Sequence, residues 1–129
     1  MLEEEVIRRE KAKTLRGAGI DPYPPSTRRN TTCASAVAHF DAWSGEQKMI
    51  VLAGRVRAIR VHGGAAFADL QDESGRLQLH LKLDTVGAES FERFTSTIDL
   101  GDFIEAEGVL FVTKRGEKTL EARSWNILT

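Results

Sequence analysis

The stretch Gly63–Leu83, reading GGAAFADLQDESGRLQLHLKL, leaves this chain few folding options. At its centre, Asp72-Glu73-Ser74-Gly75 has the chemistry of a tight turn: an Asp that can bond its own backbone, and a Gly that tolerates positive φ. Beyond the turn, Leu77, Leu79, Leu81 and Leu83 alternate with Arg76, Gln78, His80 and Lys82. A period of two marks a half-buried strand. Before the turn, Ala66, Ala68 and Leu70 share one face, and Phe67, Asp69 and Gln71 share the other. Closing a hairpin on this turn sets Gln71 opposite Arg76, Asp69 opposite Gln78 and Phe67 opposite His80. Opposed residues of an antiparallel pair project to the same side of the sheet. The leucine and alanine face therefore packs inward.

The outward face then carries Phe67 and His80 among Asp69, Gln71, Arg76 and Gln78. A large apolar ring on a polar sheet face is a device for stacking unpaired bases. The same pattern also fits a Phe67 covered by a loop or terminal helix of its own domain. Arg60, Phe67, Arg76, Gln78 and His80 together suggest a basic-aromatic binding site.

The elements around this hairpin follow in order. Leu2 to Ala18 reads as a strongly basic helix, with Glu3, Glu4 and Glu5 at its positive end and Gly17 and Gly19 stopping it. The run Ile20–Pro25 is extended because of its prolines, and Ser26–Thr31 is a polar connector. A short helix is expected over Ala34–Trp43, capped by Thr32 or Ser35, with Val37, Phe40 and Trp43 toward the core. A first strand spans Met49–Arg60, and Gly54 within it suggests a bulge or sharp bend. Phe91, Phe94 and Ile98 share one face of a helix within Asp84–Ile98. A fourth strand follows from Phe103 to Thr113, a loop at Thr113–Gly116, and a fifth strand opened by Glu117 and ending at Ile127. Three strands, a helix and two strands is the element order of the OB-fold, a mainly β five-stranded Greek-key barrel. The expected division is a helical extension and connector over 1–47 and the barrel over 48–129.

Composition excludes several classes. A formal net charge of −1 argues against a protein that coats nucleic acid without selectivity, though not against a small specific site. The single cysteine, Cys33, can form no internal disulfide. No apolar run approaches a membrane span, and a soluble cytoplasmic protein is expected. His39, His62 and His80 lack metal-ligand spacing, and no catalytic constellation or phosphate-binding glycine loop is visible. The chain reads as a binding module with no metal and no cofactor of its own.

Four segments, in order, resemble the N-terminal anticodon-binding domain of class II lysyl-tRNA synthetases: RREKAKTLRGAGIDPYP (Arg8–Pro24), LAGRVRAIR (Leu52–Arg60), FADLQDESGRLQL (Phe67–Leu79) and LGDFIEAEG (Leu100–Gly108). The hairpin taken alone is also similar to the aspartyl and asparaginyl enzymes, and the first segment favours the lysyl family. Gly63-Gly64 departs from the usual Gly-Lys and is closer to the aspartyl pattern.

The resemblance implies a domain that grips the uridine-rich anticodon loop of lysine tRNA. It places base stacking at Phe67, reading of the central uridine at Gln78, base contacts at Glu117 and a basic contact at Arg60. It implies a homodimeric parent that attaches lysine to tRNA with ATP and magnesium, using a catalytic domain absent from this chain. The rival readings are a sister aspartyl or asparaginyl domain, a free-standing single-strand binder and a protein-interaction barrel.

Overall fold

The hairpin forms in the register that its turn dictates. In the computed structural model, which describes residues 27–128, strands β2 (Ala65–Asp72) and β3 (Gly75–Lys82) pair antiparallel, with Gln71 opposite Arg76, Asp69 opposite Gln78 and Phe67 opposite His80. Ala66, Ala68, Leu70, Leu77, Leu79 and Leu81 are all buried. The Asp72 carboxylate builds the turn by accepting from the backbone N–H groups of Ser74 (2.8 Å) and Gly75 (3.1 Å) and from the Ser74 hydroxyl (2.7 Å).

Three further strands complete a closed barrel in the order β1-β2-β3-β5-β4. Strand β1 (Ile50–His62) pairs with β4 (Phe103–Val112) through its first half and with β2 through its second. Serving two neighbours demands a sharp turn of the strand, and Gly54 and Arg57 divide that task. The register shift lies between Val56 and Ala58, not at Gly54. Gly54 instead allows close approach: a Cβ there would lie 2.5 Å from the Gln71 carbonyl oxygen. A bulge and a close approach are both signalled by a glycine in a strand, and only the packing decides between them. Gly108 has the same role in β4, where a Cβ would run into the Glu121 carbonyl.

The barrel closes through a short parallel pairing of β3 with β5 (Lys118–Ile127), in which Gln78, Leu79 and His80 face Thr119, Leu120 and Glu121. Glu117, expected to open β5, stands just before it.

Helices seal the ends. Helix α1 (Cys33–Ala38) is capped by the Thr32 hydroxyl, which accepts from the Ser35 N–H, and α2 (Phe40–Gly45) follows directly. Phe40 is buried and Trp43 packs on the core as expected, but Val37 is 38 % exposed, and Cys33 and Ala36 take the inward positions instead. The break at His39 rotates the second helix against the first, so one helical face does not run through both. Between β3 and β4, α3 (Leu83–Val86) and α4 (Ala88–Thr97) are separated by Gly87 at φ 95°. Phe91, Phe94 and Ile98 are buried, with Phe94 edge-on to Trp125 at 5.2 Å between ring centroids.

The connector is strapped to the barrel by a buried carboxylate. Glu105, only 3 % exposed, accepts from the Thr27 hydroxyl, the Arg28 backbone N–H, the Arg28 guanidinium and the Asn126 amide. Cys33 is fully buried, and burial together with the neighbouring Asp72 carboxylate pushes its thiol up to about 12, so it stays protonated and unreactive in the fold. The expected helix Leu2–Ala18 and the extended run Ile20–Pro25 lie outside the described residues.

Candidate nucleic-acid interface

Pairing across the sheet brings the outward residues of all five strands into two rows. In one, Arg60 of β1 faces Phe67 of β2, which faces His80 of β3. In the other, Asp69 of β2 faces Gln78 of β3, which faces Thr119 of β5, which faces Phe111 of β4. Of these residues, Arg60, Phe67, His80, Gln78 and Phe111 floor an open cavity of about 450 Å³, rimmed by the loop from Thr113 to Glu117.

The floor is aromatic. The Phe67 and His80 rings stack at 4.5 Å and 11°, and Phe111 leans on the other side of His80 at 5.8 Å. Burial lowers the His80 pKa; Glu121 opposes this and Lys82 adds to it. The imidazole is thus neutral at pH 7, and its buried Nδ1 has no hydrogen-bond partner among the described residues. A neutral ring flanked by two phenyl rings behaves as an extension of the aromatic platform.

One wall is polar and fixed. The Gln78 side chain is buried at 8 % exposure. Its Oε1 accepts from the Arg60 guanidinium at 2.8 Å, and its Nε2 donates to the Thr119 hydroxyl at 2.9 Å. Arg60 lies 3.7 Å from the Asp69 carboxylate as well. Holding Gln78 at both ends costs it rotamer freedom in advance of any ligand.

The rim is charged. Lys114, Arg115 and Glu117 project from the β4–β5 loop, whose ends are tied by the Thr113 N–H donating to the Glu117 carbonyl (3.0 Å) and the Glu117 N–H donating to the Thr113 hydroxyl (3.1 Å). Basic groups from β1 and from this loop therefore meet at one mouth, although the whole chain carries a net charge of −1. The site combines stacking surface, directional hydrogen bonds and local positive charge, which is the combination that single-stranded nucleic acid requires.

Five of the six residues singled out in the sequence, Arg60, Phe67, Gln78, His80 and Glu117, line this cavity. Arg76 does not: it sits at the turn end of the hairpin, exposed and opposite Gln71. Sequence reasoning missed Phe111, Thr119, Lys114 and Arg115. Phe111 was within reach, because Glu105 and Glu107 fix the outward parity of β4 and Phe111 shares it. Thr119 was not, because its place depends on the β3–β5 closure.

Residues 50–128 match the tRNA anti-codon family model, described as an OB-fold nucleic acid binding domain. The chain belongs to this family. As in other members of the OB-fold architecture, its cavity lies on the face of strands two and three and beneath the loop after strand four. The chain is also 41 % identical over 123 residues to the lysine–tRNA ligase of Thermoanaerobacter sp. (strain X514), covering 95 % of this chain and 24 % of that protein. It is 43 % identical over 119 residues to the corresponding ligase of Roseiflexus sp. (strain RS-1), covering 92 % of this chain and 24 % of that one. With the ligase of Moorella thermoacetica it shares 44 % identity over 124 residues, 95 % of this chain and 24 % of the relative. The chain thus spans about a quarter of the length of these relatives.

Proposed function

We propose that this chain is the anticodon-reading part of a lysine–tRNA ligase and that its cavity takes the unpaired bases of the uridine-rich lysine anticodon loop. The observation that carries the reading is the convergence of Phe67, Gln78, Arg60 and Glu117 on one cavity. Phe67, backed by His80, stacks on a base. Gln78 meets the edge of the central uracil with a donor and an acceptor together, and the Glu117 carboxylate accepts from a base N–H. Arg60, Lys114 and Arg115 draw in the phosphates. The match to lysine–tRNA ligases over 92–95 % of the chain supports lysine over aspartate or asparagine as the amino acid.

On this reading the chain supplies recognition. Ligation of lysine, with ATP and magnesium, belongs to the part of such enzymes that this chain does not span, and the place of action is the cytoplasm. The outward direction of Gln78 gives the test. Gln78→Ala should weaken binding to a lysine anticodon stem-loop by about 1–3 kcal/mol while leaving the circular dichroism spectrum unchanged. Unchanged affinity in the folded variant would remove Gln78 from the reading.

A further inference from the structure

We propose that Thr119 is a positioning residue that fixes which way round the Gln78 amide is held, and that this orientation sets a preference for uracil over cytosine. The inference rests on the reading that Gln78 meets the central base.

Two clamps hold the amide, and each determines its orientation independently. A guanidinium can only donate, so the atom 2.8 Å from Arg60 Nη2 is the amide oxygen. At the other end, the Thr119 hydroxyl directs its own hydrogen to the Glu117 carbonyl at 3.1 Å, and a carbonyl can only accept. Thr119 Oγ1 therefore offers lone pairs to Gln78, and the atom 2.9 Å away is the amide nitrogen. The two assignments agree. The amide is left with one lone pair and one N–H for a ligand.

That leftover pair has a direction. Uracil presents a donor at N3 beside a carbonyl acceptor, whereas cytosine presents an acceptor at N3 beside an amino donor. The two edges are inverses, so an amide that fits one must turn over by half a rotation to fit the other. A free glutamine serves both bases, and a clamped one discriminates. The Arg60 clamp is half exposed and shared with Asp69, so solvent and phosphate compete for it. The Thr119 clamp is fully buried, and a bond broken there leaves an unpaired buried donor. Thr119 itself has no exposed surface and cannot touch RNA. Its hydroxyl also pins the Glu117 carbonyl, so one buried group ties the β3 amide to the β4–β5 loop.

Two anticodon stem-loops that differ only in a central U or C, titrated by fluorescence anisotropy at one salt concentration, test this. The wild type should favour the U loop. T119V, which keeps the shape and deletes the hydroxyl, should narrow the U-to-C affinity ratio by about fivefold or more, and T119S should keep it. A purely structural threonine would weaken both loops alike and leave the ratio unchanged, and that result in folded T119V overturns the inference. If T119V fails to fold, T119A carries the same expectation. Equal wild-type affinity for the two loops would overturn both this inference and the proposed function, whereas a wild-type preference that survives loss of the hydroxyl overturns the inference alone.

Discussion

Asp72→Ala should destabilise the fold by about 3 kcal/mol, because truncation leaves several N–H groups without their charged acceptor. One oxygen of Asp72 takes Ser74 N, Ser74 Oγ and Gly75 N, and the other takes the buried Cys33 N–H at 2.9 Å. The same carboxylate thus closes the β2–β3 turn and docks the start of α1 against it. For a chain of this size the loss corresponds to a drop on the order of 10 °C in Tm. Asp72→Asn should cost less, since its amide oxygen still serves the turn. Thermal melts of the two variants at pH 7 check the order.

The same geometry predicts acid sensitivity. Burial works against ionisation of both Asp72 and Glu105, but the hydrogen bonds they accept outweigh it and hold both carboxyls below their ordinary range. A depressed folded-state pKa contributes stability that is full above the unfolded value and disappears as pH falls through the folded one. Tm should therefore fall as pH drops from about 5 toward 2, and this part of the fall should be smaller in Asp72→Ala, which has already lost one such group.

Phe67→Ala should weaken binding to a lysine anticodon loop by about 1–3 kcal/mol, roughly fivefold to 150-fold in Kd. The ring points away from the core, and β2 keeps all its backbone pairs, so the fold should persist. Phe67→Leu separates stacking from simple apolar cover: it fills similar space without a π-face, and should behave like the alanine variant. Isothermal titration of each folded variant measures the loss. Full affinity in the alanine variant would place the bound base elsewhere in the cavity, and full affinity in the leucine variant alone would reduce Phe67 to apolar cover.

The hairpin was legible because its information is local. A four-residue turn and a strict alternation determine partners, faces and the position of Phe67, Gln78 and His80 together. The helix with Phe91, Phe94 and Ile98 was legible for the same reason, from its 3.6-residue period. What escaped depends on contacts between distant segments. Glu105 and Glu107 look alike in the sequence, and only the docking of Thr27 and Arg28 makes Glu105 a buried anchor. The direction of Val37 was lost in the break between α1 and α2, which interrupts the helical period. Thr119 enters the site only when β5 closes the barrel beside β3, a parallel pairing across about forty residues that no turn signals.

Local and distant information meet in the cavity. Strand parity delivers the aromatic platform, and barrel closure delivers the residue that clamps Gln78. A site assembled this way is preorganised, so its binding free energy is spent on the ligand rather than on ordering side chains.

The most direct measurement is the affinity of this chain for four anticodon stem-loops at one salt concentration: lysine, aspartate, asparagine and an unrelated sequence. Clear preference for the lysine loop is expected, lost together with overall affinity in Phe67→Ala. Equal binding to all four would contradict it and leave an unselective single-strand binder, while preference for the aspartate or asparagine loop would keep the site and contradict the lysine assignment.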